Sequence, residues 1–168
     1  MKKIMLLLFL LPTITYGAGS LCDADEQVLF SCPVGKSGKL VSLCGFRKLE
    51  KDVGYLQYRY GSPKNIELTF PSAKAGSLEK FRYAHYFRFQ VDRTFVSFSN
   101  GGFEYSVFTN YDGEEESPVQ EKGVTVFKKS QPDKETNFIC SSPVSEDLGK
   151  LENILPCDKE SDFASCGE

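Results

Sequence analysis

The sequence predicts an all-β, single-domain, antiparallel protein, a small barrel or sandwich of eight or nine strands stapled by disulfides. Three observations predict it. Short aromatic-rich runs are separated by Gly, Pro, Asn and Asp. An Asn100-Gly101 pair stands between two alternating runs. Six cysteines follow an N-terminal segment with the marks of export.

That segment begins Met1-Lys2-Lys3, continues as an apolar run from Ile4 to Leu11, and exits through Thr15-Tyr16-Gly17-Ala18. A basic start, a short apolar core and small exit residues are the parts of a secretory signal, here residues 1–18. The run is far short of the ~20 residues a membrane-spanning helix needs. Cleavage is expected after Gly17 or Ala18, with Gly19 also compatible. Leu21 immediately before Cys22 is the wrong residue for a lipidation motif, so Cys22 reads as a disulfide partner. The expected destination is the periplasm, and residues 19–168 form one domain.

Processing takes Lys2 and Lys3 from the 20 basic residues, leaving 18 against 23 acidic ones, and moves the formal charge from −3 to −5. Nucleic-acid binding needs a net basic surface and is disfavoured. A basic protein partner is compatible.

The elements follow in order. Gln27 to Cys32 and Lys39 to Cys44 form a first hairpin around the turn Gly35-Lys36-Ser37-Gly38. Tyr55 to Tyr60 is the next strand, closed by Gly61, Ser62 and Pro63, and Ile66 to Phe70 follows, ended by Pro71. Ser72 to Glu79 is polar, a loop or a short helical turn. From Phe81 to Phe89 the residues Phe81, Tyr83, His85, Phe87 and Phe89 share one face at period two, with Arg82 and Arg88 on the other.

Thr94 to Ser99 and Phe103 to Thr109 flank Asn100-Gly101. A two-residue type I′ turn there places Phe98 opposite Phe103 and Val96 opposite Tyr105. Tyr111 to Lys122, with Glu114-Glu115-Glu116 and Pro118, is too polar to bury and reads as an exposed loop. Gly123 to Lys129 and Thr136 to Cys140 make the last hairpin. Ser145 is placed as the N-cap of a short helix reaching Ile154, stopped by Pro156. The hairpin order slightly favours a barrel.

Cys22, Cys32, Cys44, Cys140, Cys157 and Cys166 form an even set in an exported chain. Fifteen pairings are open. The expected one joins Cys157 to Cys166, Cys32 to Cys44 and Cys22 to Cys140. A zinc site is disfavoured, because no C-x-x-C pair exists and His85 is the only histidine. No metal and no cofactor are implied.

No motif carries a reaction. His85, among aromatics on one strand face, reads as a packed histidine before a catalytic one. No serine has a nucleophile-elbow context, and oxidised thiols are not nucleophiles. The alternatives left open are a small envelope hydrolase using carboxylates or His85, and an envelope assembly factor. The candidate partner-binding residues are the hairpin tip Ser99, Asn100, Gly101 and Gly102 with Tyr105, and the acidic run Glu114, Glu115 and Glu116, which suits a basic partner. Tyrosines Tyr55, Tyr58, Tyr60, Tyr83, Tyr86 and Tyr105 offer a recognition patch wherever they face outward.

Phe30-Ser31-Cys32, Lys39-Leu40-Val41-Ser42-Leu43-Cys44, Tyr55 to Gly61 and Ser97 to Tyr105 together resemble a group of small exported bacterial β proteins of uncharacterised function. Their architecture looks similar to that of the periplasmic lysozyme inhibitors, small β-barrels that block cell-wall hydrolases with protruding loops. The inhibitors' Ser-Gly-x-x-Tyr-like signature is matched loosely by Ser99 to Tyr105, and six cysteines is a departure. The resemblance implies a non-catalytic inhibitor or immunity-type protein. Its Ser99–Gly102 tip would enter a lysozyme cleft, and its acidic loop would face the enzyme's basic surface.

Overall fold

In the computed structural model, residues 19–161 are described. The expected signal segment and Cys166 lie outside them. Two five-stranded antiparallel sheets stack as a sandwich, not a closed barrel. The first sheet is a meander of β1 (Glu26–Val34), β2 (Lys39–Phe46), β3 (Leu56–Ser62) and β4 (Asn65–Phe70). The second is a meander of β5 (Arg82–Arg88), β6 (Val91–Asn100), β7 (Phe103–Asp112), β8 (Val119–Lys128) and β9 (Gln131–Ile139). The chain then returns to the first sheet, where β10 (Ser145–Glu146) pairs antiparallel with β1.

Pairing register assigns the faces. Across the first sheet Phe30, Leu43, Tyr58 and Phe70 are neighbours on the inner face. Across the second, Tyr83, Val96, Val107 and Val124 form the facing row. Each of these four is at most 5% exposed, as the shared core requires. Aromatic rings fill the middle. Phe98 stacks between Phe70 at 4.5 Å and Tyr105 at 4.8 Å, and Phe81 meets it edge-on at 5.4 Å. Burial pushes the Tyr58 phenol, which packs on Phe98, well above its ordinary range.

Four expectations are corrected. The expected helix from Ser145 to Ile154 is absent. Ser145 and Glu146 pair with Ser31 and Phe30, and only a 3₁₀ turn over Leu148–Leu151 follows. Its three-residue repeat puts Leu148 and Leu151 on one fully buried side.

The central hairpin turns on Gly101 and Gly102, both at positive φ, instead of on Asn100-Gly101. Phe98 therefore pairs with Tyr105, Val96 pairs with Val107, and Phe103 stays 40% exposed. Two glycines adopt the left-handed turn positions with no Cβ penalty, which outweighs the Asn-Gly preference.

The polar stretch from Tyr111 to Lys122 is half strand. Tyr111 and Asp112 extend β7, Val119 opens β8, and the connecting loop spans only residues 113–118. Ladder pairing across a protruding hairpin tolerates polar residues because neither face of its end is covered.

The cysteines pair differently from the expectation. Cys22 joins Cys44, and Cys32 joins Cys140. Cys32 is opposite Val41, three residues from Cys44 on the same strand, so the two sulfurs point to opposite faces of the sheet. Cys32, on the inner face, reaches Cys140 in the segment that returns from the second sheet. Cys157 is also disulfide-bonded, and its expected partner Cys166 is outside the described residues.

The outer face of the first sheet is not the solvated face that alternation suggests. Residues 19–22 cross it as a strap. Ser31 Oγ donates to the Gly19 carbonyl at 2.9 Å, the Leu21 N–H donates to Ser42 Oγ at 3.0 Å, and Arg59 Nη1 donates to the Leu21 carbonyl at 2.8 Å. Beneath it the Arg59 guanidinium forks onto both oxygens of the fully buried Glu26 carboxylate, at 2.7 and 2.8 Å. Burial alone would raise Glu26, but Arg59, the Asp23 N–H, Lys74 and Tyr55 together hold it down at about 2.

Candidate functional site

The second sheet is longer than the lid the first sheet provides. Its inner face continues past the apolar row into two polar ones. The register places His85, Thr94, Thr109 and Lys122 side by side, then Phe87, Asp92, Tyr111 and Gln120. All of these but Phe87 floor a cleft of about 430 Å³, walled on the other side by Glu146, Gly149 and Glu152.

His85 sits in this cleft with its side chain 26% exposed. Its Nε2 lies 3.0 Å from Asp92 Oδ1, and its Nδ1 lies 3.9 Å from Glu152 Oε1. Lys122 Nζ pairs with Glu146 at 3.1 Å. Burial first, then the Glu152 charge, push the Tyr83 phenol at the cleft's inner end up to about 12. The expectation of a packed histidine is met only in part. Tyr83 and Phe87 flank the ring on one strand face, at 6.5 and 6.4 Å, but its edge faces carboxylates.

At the mouth of the cleft the strand face runs off the core. Phe81 is fully buried and Tyr83 is 5% exposed, whereas Phe87 is 71% and Phe89 80% exposed. Beside this β5–β6 turn stands the β7–β8 loop with Glu114, Glu115 and Glu116. Arg88 of the turn is bidentate to Glu114 of the loop, which raises the guanidinium and lowers the carboxyl. Arg93 binds Asp112 at 3.0 Å just inside. Glu115 and Glu116 are exposed and make no ion pair among the described residues. Together these segments form one surface, with two exposed rings beside an acidic loop.

The structure therefore separates the two groups of predicted partner-binding residues. The Ser99–Gly102 tip and the Glu114–Glu116 loop sit at opposite ends of β6 and β7. Ten-residue strands put about 30 Å between them. The tip is internally satisfied: Ser99 Oγ donates to Glu104 at 2.6 Å, Lys129 Nζ pairs with Glu104 at 2.7 Å, and the Lys129 N–H donates to the Gly102 carbonyl. Tyr105 is stacked on Phe98 inside the sandwich, so its ring supports the hairpin from within.

Sequence reading missed Phe87 and Phe89 as surface residues. They share a face with Phe81 and Tyr83, and nothing in the alternation tells where the opposing sheet stops. Asp92 was missed because its partner His85 meets it only across the ladder.

One group of possible metal ligands exists among the described residues. The side chains of Cys22, Glu26 and Cys44 approach within 4.8 Å of one another. The disulfide consumes both thiolates, and Arg59 holds both Glu26 oxygens, so the oxidised protein offers no ligand set there.

No protein-family model, curated protein or solved structure matches this chain.

Proposed function

We propose that this is a non-catalytic binding protein of the bacterial envelope. In the sharpest form it is an inhibitor or immunity-type protein against a basic cell-wall-targeting enzyme such as a lysozyme. The observation that carries the reading is the juxtaposition of exposed Phe87 and Phe89 with the acidic Glu114–Glu116 loop, locked by Arg88. Aromatic anchors ringed by charge are the composition of an interaction hot spot. An acidic rim steers a basic partner. The disulfides point to an oxidising compartment, and the export-like N-terminus makes the periplasm the natural one. Among the described residues no helix is long and apolar enough to cross a membrane.

This reading moves the docking surface from the Ser99–Gly102 tip to the other end of the sheet. The tip spends its polar groups on itself, whereas the aromatic end leaves large apolar area in water. Residual lytic activity of c-, g- and i-type lysozymes, measured with the purified oxidised protein, tests it. Inhibition of at least one type is expected. No inhibition of any type, with no complex on gel filtration, removes the lysozyme version.

A second reading, a small envelope hydrolase, is favoured by His85 lying in a cleft with Asp92 at hydrogen-bond distance. Against it, each ring nitrogen faces a carboxylate, Asp92 on one side and Glu152 on the other. The reading requires a glycan- or ester-hydrolysing activity that His85→Gln abolishes. Unchanged activity in that variant would remove His85 from the chemistry.

A further inference from the structure

We infer that the cleft over the polar rows of the second sheet is a binding site for a neutral saccharide. This goes beyond protein docking at the turn end and stands on separate observations.

The first is position. The rows flooring the cleft occupy the core-facing side of the sheet, directly after the buried row Tyr83, Val96, Val107 and Val124. On the face that carries the core, apolar side chains are the usual occupants. The chain instead places His85, Thr94, Thr109, Asp92 and Gln120 there. The face is kept concave and wet, although aliphatic residues would have extended the core.

The second is charge. The charged groups of the cleft already have partners, Lys122 on Glu146, and Asp92 and Glu152 facing the two nitrogens of His85. An anionic ligand would meet three carboxylates. A simple cation would have to compete with contacts already made. What remains open is neutral hydrogen-bonding capacity. Thr109 and Gln120 make no side-chain hydrogen bond among the described residues, and paired carboxylates still have lone pairs to accept from hydroxyls.

The third is shape. The volume of about 430 Å³ falls in the range of small-ligand sites. Tyr111, 41% exposed, offers a ring face at the mouth, and Tyr83 lines the inner end. On the opposite wall a Cβ at Gly149 would meet nothing within 4 Å, so that side has room. A ligand with an apolar C–H face for the rings and a rim of hydroxyls for the amide and carboxylates fits these walls. That is a sugar.

Titration of the ¹⁵N-labelled oxidised protein with chitotriose, cellotriose and, as the anionic control, trigalacturonate tests the assignment. At least one neutral trisaccharide is expected to give saturable shifts at the amides of Thr94, Thr109, Gln120 and Gly149. Tyr111→Ala should weaken that binding about tenfold, the loss of one ring contact. Thr109→Val, which keeps the shape and removes the hydroxyl, should weaken it several-fold. Phe89→Ala, which alters only the docking surface, should leave it unchanged, so the two proposals fail separately. The assignment is overturned by no saturable shift with either neutral sugar, by shifts lying outside the cleft, or by equal binding of trigalacturonate.

Discussion

Arg88 and Glu114 join two segments that the chain separates by 26 residues, with Nη1 donating to Oε1 and Nη2 to Oε2. The pair fixes the β5–β6 turn, which carries Phe87 and Phe89, against the acidic β7–β8 loop. Each segment alone is an ordinary protruding turn. Held together, they present a preorganised surface, which lowers the ordering cost of binding.

The pair is exposed, so its role is positional and not a source of fold stability. Arg88→Ala and Phe89→Ala should each change unfolding free energy by less than ~1 kcal/mol in a urea titration. The same Phe89→Ala should weaken partner binding by 2 kcal/mol or more, roughly 30-fold, as truncated aromatic anchors do. A variant equally impaired in stability and binding would place Phe89 in the fold instead.

Acid should destabilise the protein through Glu26. Its carboxyl sits at about 2 in the folded protein against an ordinary 4.5. A depressed carboxyl stabilises fully above its unfolded value, and the contribution is lost as pH falls through the window from 4.5 towards 2. The separation corresponds to about 3 kcal/mol. Urea midpoints measured between pH 6 and pH 2 should fall across that window, and Glu26→Gln should flatten the drop. A drop of full size in Glu26→Gln would assign the acid sensitivity to other groups.

Breaking the Glu26–Arg59 pair on one side should cost more than removing both partners. Arg59→Met leaves a buried carboxylate facing only Lys74 and hydrogen-bond donors, a loss of about 3–5 kcal/mol. The double variant Glu26→Leu/Arg59→Met should recover part of that loss. Additive losses in a double-mutant cycle would show that the two side chains do not act as a unit.

The Cys32–Cys140 bridge closes 108 residues and links the first sheet to the segment returning from the second. Cys32→Ala/Cys140→Ala should lose more stability than Cys22→Ala/Cys44→Ala, whose loop is 22 residues. Loop-closure entropy gives about 4–5 against about 3 kcal/mol. Denaturation of the two double variants under oxidising conditions checks the order.

Most of the fold was legible because alternation and turn residues are local signals. Nine strands were placed near their observed positions from runs such as Lys39 to Cys44 and Tyr55 to Tyr60. What was not legible depended on contacts across the molecule. Leu148 and Leu151 look like a helix face until β1 offers Ser145 and Glu146 a pairing edge. Ser31, Ser42 and Arg59 look solvated until the strap from residue 19 covers them.

The site divides the same way. The Glu114–Glu116 loop was visible as a charge run and stands exposed. Phe87 and Phe89 were visible as a strand face, but their exposure depends on where the first sheet ends. The His85–Asp92 contact spans a hairpin whose register the sequence left open.

The central claim is that the aromatic and acidic turn end binds a basic cell-wall-targeting partner. Gel filtration of the oxidised protein with c-, g- and i-type lysozymes, beside Phe87→Ser/Phe89→Ser, tests it most directly. A complex is expected with at least one enzyme, weakened by salt and lost in the double variant. Absence of any complex, or a complex that forms equally well with the double variant, would contradict it.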